Sequence, residues 1–566
     1  MPLMHSKSGL LVDAYLTYEE RFGRRSSIEE FRRELAHHCS ADVIRLCSAL
    51  SMLLFGWSKY FDKDLHDRLV DTMSPASAAA IKSNPARVLF HRQQLLFIAK
   101  EALRLACDTA PPLSLGIDLS DLFTMANDQL VGAEPVADDQ AKNPIRLISQ
   151  FLTVSEFQFQ GHVAKLFRPY VVLSKLRELL PKQGKRFDLV EMFEKTVGIG
   201  PDAYFPLVFA CLAKYQPLTA DDFYRSPPTF ALRRDWFSQT NLETRQLDRL
   251  IADVSGDYTD FRGLLDRYDK GVNDFTIFRE RPLARLGDSL YPLDFGFLAA
   301  KAESAFFWRV HNSLPSSERD GFHAFWGHVF ENYIHRLMTS ACGSPANQYC
   351  ASPQYADGDN EEACDGIVLC RGHIAVVAEY KGSVFTAEAK YGGDLIALER
   401  EIERKLIGRP DRDRKGVHQL ANAISSLFAK GTHQKLQGID LSAVTKVFPL
   451  LITRDEIGST WYLASFLNDI FRKAINRKMI HTVVSPVFSM SLDHFEAFAG
   501  ALRNVPLSDI LEARYRQDKR LQMPFLLPNN EALKAGGLVP APTVEEAGGE
   551  LMGYARKLFE NPVSKN

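Results

Sequence analysis

The hydrophobic pattern of the chain changes period as it proceeds. Through roughly the first 270 residues apolar positions return every three or four residues, the spacing of amphipathic helices. The clearest such runs are Asp42 to Tyr60, Pro85 to Cys107, Pro144 to Leu180 and Leu242 to Ala252. Ser27-Ile28-Glu29-Glu30 predicts a helix start, with Ser27 as N-cap and Glu30 at the third helical position. Loops rich in Pro, Gly or Asp near Thr109 to Asp118 and Val131 to Asn143 separate the helical groups, and no fixed repeat period emerges. From Phe275 to Asp294 the pattern turns β-like, and Gly287-Asp288 suits a hairpin turn. A long helical stripe then runs from Glu318 to Ser340 through Phe322, Trp326, Val329, Phe330, Tyr333, Ile334 and Leu337. Beyond it come two short apolar strands around residue 370, a helix near Gly416 to Ile424, a buried strand at Lys446 to Thr453, and a helix at Trp461 to Asn476. A strand at Thr482 to Met490 and a helix from Leu492 complete the series. Strands separated by helices favour a mixed sheet covered on both faces. Residues 525–548 hold prolines and glycines with little periodicity, which reads as a linker before a short terminal helix.

The two strands near residue 370 carry charge where a core strand normally has none. Asp365 precedes Gly366-Ile367-Val368-Leu369, and Glu379 and Lys381 end the run Ile374 to Lys381. A carboxylate on a buried strand is costly unless it is paired or binds a metal. Alternation puts Glu379 and Lys381 on one face and Val376, Ala378 and Tyr380 on the other. Asp365 lies opposite Glu379 only if the hairpin is centred on Gly372, which predicts a connection made by Arg371, Gly372 and His373 with the glycine left-handed. A two-residue turn would instead set Asp365 against Ala378 and put the acids on opposite faces.

Asp365, a gap, and then Glu379-Tyr380-Lys381 resembles the PD-(D/E)XK signature of the restriction-endonuclease-like nuclease superfamily. The resemblance implies an acid on one strand, E-x-K on the next, a further acid on a preceding helix, and often a later helix bearing glutamine. Glu331, at the edge of the Glu318 to Ser340 stripe, fits the helical acid, and Gln419 fits the glutamine as a site-lining residue. Two positions depart from the pattern: Cys364 stands where proline is usual, and Ala423 stands where one subgroup has tyrosine. The resemblance covers about residues 318–490. The fold class expected is therefore a multidomain chain, its mostly α-helical N-terminal half followed by an α/β restriction-endonuclease-like domain with a mixed central sheet. Its expected parts are a helical domain at 1–140, a helical middle domain at 141–300 ending in a β-hairpin, the nuclease-like domain at 301–525, and a linker with a short C-terminal helix at 526–566.

What the resemblance implies chemically is a metal-dependent nuclease hydrolysing phosphodiester bonds of DNA or RNA, placed by analogy in defence against foreign nucleic acid. Asp365, Glu379 and Lys381 are the expected catalytic residues. Mg2+ or Mn2+, hard cations that prefer oxygen, would be held by Glu331, Asp365, Glu379 and the Tyr380 carbonyl. Lys381 orients the attacking water, stabilises the transition state or acts as base, three roles the residues alone do not separate. The competing reading is a non-catalytic nucleic-acid-binding or assembly module built on a nuclease fold. His328, Glu331 and His335 also share a helix stripe, but without H-E-x-x-H they read as satisfied or exposed histidines. The acidic run Asp357 to Glu362 reads as a solvated loop.

At 566 residues the chain has room for roughly two to four domains. Its net charge of −2 gives no global basic signature, so nucleic-acid binding requires a local patch. The segment Arg400 to Lys415 is the best candidate, with Arg404, Lys405, Arg412, Arg414 and Lys415 as expected contacts. Eight scattered cysteines without a C-x-x-C pair read as reduced thiols. No signal peptide opens the chain, and its longest apolar stretch, Cys47 to Trp57, is too short to span a bilayer, so a cytoplasmic protein with no membrane partner is expected. There is no P-loop and no G-x-S-x-G elbow. The expected partners are nucleic acid, DNA foremost, and a protein activator engaged through the helical half.

Overall fold

In the computed structural model the described residues are 14–55, 63–71, 73–83, 87–88, 90–111, 119–130, 143–158, 162–174, 187–215, 222, 230–237, 239–356, 361–408, 415–430, 436–525, 530–534 and 537–560. They fall into two compact units. One is built from Met1–Pro135, Phe193–Arg309 and Leu551–Asn566, the other from Val136–Met192 and Val310–Glu550. The units are interleaved along the chain, unlike the four consecutive segments expected. The predicted linker is also shorter than expected, because a helix already begins at Pro542 and runs to Phe559, burying Val544, Ala547 and Leu551. Gly548 and Gly549 inside that helix mask its period in the sequence.

The first unit is helical, as its 3.6-residue period predicts. Ser27 caps the helix Ile28–Leu35: its hydroxyl accepts from Glu30 N at 3.1 Å, and the Glu30 carboxylate accepts from Ser27 N at 2.9 Å. The hairpin expected near Gly287-Asp288 forms between Leu283–Leu286 and Ser289–Pro292, and it belongs to this unit within a four-stranded sheet. A buried Arg92–Asp294 pair, bonded at 2.6 and 2.7 Å, ties the helix Arg92–Leu105 to the residues after the hairpin. Among the described residues no single helix is long and apolar enough to cross a membrane. One bent pair, Leu189–Val197 and Pro201–Tyr215, passes by length and composition, but Tyr204, Phe205, Leu207 and Val208 within it are buried.

The second unit is an α/β structure around a seven-stranded mixed sheet. Its elements in chain order are α1 (Pro144–Gln158), α2 (His162–Ser174), α3 (Ser316–Ala341), β1 (Gly343–Ser344), β2 (Asn347–Ala351), β3 (Gly366–Cys370) and β4 (Ile374–Lys381). There follow α4 (Leu395–Ile402), α5 (Gly416–Leu427), β5 (Lys446–Thr453), α6 (Leu463–Ala474), β6 (Val483–Val484), β7 (Phe488–Ser491) and α7 (Leu492–Phe498). The strand order is β6-β5-β4-β3-β2-β1, with β7 also paired to β5. Strands β1 to β4 run antiparallel to their neighbours, whereas β5 is parallel to β4 and reached through α4 and α5. The predicted strand from Thr482 to Met490 divides into β6 and β7 around Pro486, which has no N–H for the ladder.

Both faces of β4 are buried, which explains its near-continuous apolar run. Ala375 and Val377 join Ile367, Leu369, Val447 and Leu451 in a core closed by Leu398, Ile402, Leu420 and Ile424 of α4 and α5. The opposite face carries α3, whose Gly327 and Phe330 lie against Gly382 at the end of β4. A buried charge network fixes α3 there. Arg168 of α2 donates to Glu496 of α7 at 2.9 and 2.6 Å and also contacts Asp493, and Tyr333 of α3 donates to Glu496 at 2.6 Å. Lys165 completes it through Asp493 at 2.8 Å and Glu456 at 2.9 Å. Arg168→Met removes the cation bonded to the buried Glu496 and leaves Asp493 to Lys165, and is expected to lower stability by about 3–5 kcal/mol. A fall in the urea midpoint, partly recovered by adding Glu496→Gln, is the measurement.

Candidate metal centre

The register of the β3–β4 hairpin decides which charges meet. Cys370 pairs with Ile374, and the ladder continues to Gly366 opposite Ala378, so its centre is Gly372 as predicted. Arg371 and Gly372 are left-handed, at φ 49° and 75°, and His373 N donates to Cys370 O at 3.2 Å to close the turn. One step beyond the ladder, Asp365 stands opposite Glu379, on the same face. Its Oδ2 accepts from Tyr380 N at 2.6 Å, so a side chain replaces the backbone acceptor where the ladder ends. Glu379 and Lys381 point to the α5 side. Lys381 Nζ donates to Glu379 Oε2 at 2.9 Å and to Gln419 Oε1 at 3.2 Å, which brings the predicted glutamine to the lysine. The Tyr380 phenol takes the other face and meets the Tyr349 hydroxyl at 3.1 Å. Gly366 is required beneath them, because a Cβ there would lie 2.5 Å from the Tyr380 oxygen.

Glu331 reaches the same end of the sheet from α3. Its Oε1 accepts from Ser352 Oγ at 3.3 Å and lies 3.3 Å from His335 Nε2. His335 Nδ1 in turn meets the Tyr349 hydroxyl at 2.5 Å. His335 is thus satisfied, and His328 is exposed beside Glu331 at 3.7 Å, as the sequence predicts for this pair.

Glu362 is the residue that the sequence reading missed. Ala351 pairs with Gly366 and Gln354 with Glu362, so Ser352 and Pro353 on one side face Ala363, Cys364 and Asp365 on the other. The extra residue is a bulge, which reverses the in-out alternation and turns Glu362 to the side on which Asp365 points. Ser352, at φ 41°, accommodates it and donates its N–H to Asp365 O at 3.0 Å. Carboxylate oxygens of Glu331, Glu362 and Asp365 consequently lie within 4.8 Å of one another. Of the acidic run expected to be a solvated loop, Asp357 to Asn360 lie outside the described residues, while Glu362 belongs to this cluster.

Electrostatics here are crowded. Burial pushes the Glu379 carboxyl well above its ordinary range, and the neighbouring Asp365 adds to this against the pull of Lys381. Asp365 is raised by burial and by Glu331, despite Lys381 and the Tyr380 N–H. Glu362 is exposed at the rim, but partial desolvation of its carboxyl, then Glu331 and Asp365, push it to about 7. Burial works to lower Lys381, but Glu379, Asp365 and Glu331 outweigh it and hold the ammonium above its usual value. Glu331 stays low because His335 and His328 offset its burial. Glu379 Oε1 is buried without a hydrogen-bond partner, and its carboxyl faces that of Asp365, another acceptor. Two such oxygens are relieved by a shared proton or by a cation.

These donors are all oxygen, the chemistry of Mg2+ or Mn2+ sites, and the orphaned Glu379 oxygen fits a cation. The grouping nevertheless differs from the expected ligand set. Glu331 and Asp365 are in it, Glu362 joins them, and Glu379 stands behind Asp365 with one oxygen given to Lys381. Tyr380 enters through its N–H. The expected basic patch is only partly present. Lys405 is not a surface contact, because its ammonium is spent on Glu401 at 2.6 Å and Val384 O at 2.7 Å. Arg404 is exposed with Glu401 at 3.6 Å, Lys415 is exposed, and Arg412 and Arg414 lie outside the described residues. Comparison with protein-family models, curated proteins and solved structures finds no match to this chain.

The raised Glu362 has a thermodynamic consequence. The folded protein holds that proton up to about pH 7, whereas the unfolded chain releases it near 4.5. Stability therefore falls as pH rises through that window. In EDTA, Glu362→Gln is expected to melt higher than the wild type at pH 8, with the gap closing towards pH 4.5. Thermal melts across pH test this, and a gap that widens on acidification would reverse the sign.

Proposed function

We propose that this protein is a metal-dependent nuclease hydrolysing phosphodiester bonds of DNA or RNA. The observation that carries the reading is the meeting of Asp365, Glu379 and Lys381 at the open end of a hairpin centred on Gly372. The element order also supports it: an acid on a helix, an acid on a strand, E-x-K on the next strand, and a glutamine on the following helix that reaches the lysine.

In this reading Glu331 and Asp365 would hold the cation, with the buried Glu379 carboxyl beside Asp365. When bound, Mg2+ or Mn2+ supplies a Lewis acid and a water of lowered pKa. Lys381 donates to both of its partners, Glu379 and Gln419, and would act at this site as a hydrogen-bond donor. Bonds to Glu379 and Gln419 use two of its three N–H groups, and the third would be left for a phosphate oxygen or the attacking water. Gln419 and Glu379 fix the ammonium so that little reorganisation accompanies charge build-up.

Purified protein is expected to cut single- or double-stranded DNA or RNA with Mg2+ or Mn2+ and not with EDTA. Lys381→Ala and Asp365→Ala should each lower the rate about 10²–10³-fold. Cleavage by both variants at the wild-type rate would refute the mechanism, while binding without turnover under either cation would favour a non-catalytic module.

A further inference from the structure

We propose that Glu362 is a cation ligand, forming with Glu331 and Asp365 a three-carboxylate seat that opens to solvent at the end of the hairpin. The inference rests on the cation part of the reading above and adds a residue outside the E-x-K pattern.

Three observations support it independently of sequence resemblance. The first is distance: oxygens of the three carboxylates lie within 4.8 Å of one another, close enough to share one ion. The second is construction. Glu362 is not on a free loop, because Tyr355 N donates to Glu361 O at 3.1 Å and Ala363 N to Pro353 O at 2.8 Å on either side of it. Opposite the bulge that turns it inward stands a non-glycine residue, Ser352, at φ 41°. Its hydroxyl bonds Glu331 at 3.3 Å. Such a backbone is retained where the surroundings over-determine it. The third is the Glu379 carboxyl, fully buried next to Asp365 of the seat, with Oε1 unpartnered. Among the described residues no lysine or arginine forms an ion pair with Glu362.

The seat separates two tasks. Glu331, Glu362 and Asp365 hold the ion towards solvent, where a phosphate oxygen can reach it. Glu379 gives one oxygen to Lys381 and backs Asp365 with the other. Glu362 is exposed, so its replacement by the isosteric amide should not disturb the fold.

The test is a Mn2+ titration of the full chain followed by electron paramagnetic resonance, without nucleic acid. Glu362→Gln is expected to weaken Mn2+ binding at least about tenfold, since the charge count of the ligands sets affinity in oxygen sites. Glu361→Gln, one residue away, should bind as the wild type does, and far-UV circular dichroism confirms that both variants are folded. Mn2+ should also raise the melting temperature of the wild type and of Glu361→Gln, but much less that of Glu362→Gln. Wild-type affinity in Glu362→Gln would overturn the assignment even if the protein cuts nucleic acid. Conversely, Mn2+ binding that depends on Glu362 in a protein that cuts nothing would uphold the seat and refute the nuclease. A wild type that binds no Mn2+ would overturn both.

Discussion

The face-to-face placement of Asp365 and Glu379 is the constraint on which the second unit turns. Two carboxylates cannot be set together inside a sheet unless the register admits no alternative. The β3–β4 ladder supplies that register through a turn at Gly372 and through strands buried on both sides, where a slip of one residue would exchange every side chain between two different cores. Lys381 and the Tyr380 N–H each compensate part of the charge. The helices follow from the same requirement. Gln419 on α5 holds the lysine from one face, and Glu331 on α3 arrives from the other, fixed by Tyr333, Glu496 and Arg168.

Departures from ordinary folding rules concentrate around that pair. A left-handed serine costs about 1–2 kcal/mol relative to its usual backbone, and Ser352 adopts this conformation opposite the bulge. Gly366 gives up a side chain so that two tyrosine hydroxyls can approach the backbone. Elsewhere the local signals agree with the fold, as with the Ser27 capping box and the Gly287-Asp288 turn. Sequences tend to break their own rules at sites kept for something other than stability.

This also explains which features were legible in the sequence. Strand alternation has a period of two, so pairing Asp365 with Glu379 required only a turn of the right length, and a glycine stood at the midpoint. Glu331 was legible because a helical stripe has a calculable edge, and β5 because a long apolar run has few other readings. Glu362 was not, because one extra residue in a bulge inverts alternation without any glycine to announce it. Lys405 misled in the opposite way: a basic run looks like surface, yet its ammonium turns inward to Glu401 and lies over the Phe385 ring. The interleaving of the two units was invisible for a further reason. Contacts between residues distant in the chain, such as Arg168 with Glu496, leave no local periodicity.

The charge balance of the site sets an order of events for any phosphodiester that reaches it. Glu331, Glu362, Asp365 and Glu379 face one lysine, and that lysine is already bonded to Glu379. The chain as a whole carries −2, and of the basic residues expected to draw in nucleic acid Lys405 is occupied internally. A phosphate approaching these carboxylates is therefore repelled until their charge is met. Protonation meets it in part, and the raised Glu362, Asp365 and Glu379 show how far the fold already leans that way. A divalent cation meets it better, because it replaces the repulsion with a positive centre that the phosphate itself can ligate. Under the proposed function cation binding would come before substrate binding, and the carboxylates that crowd the hairpin end would be the groups that hold the cation.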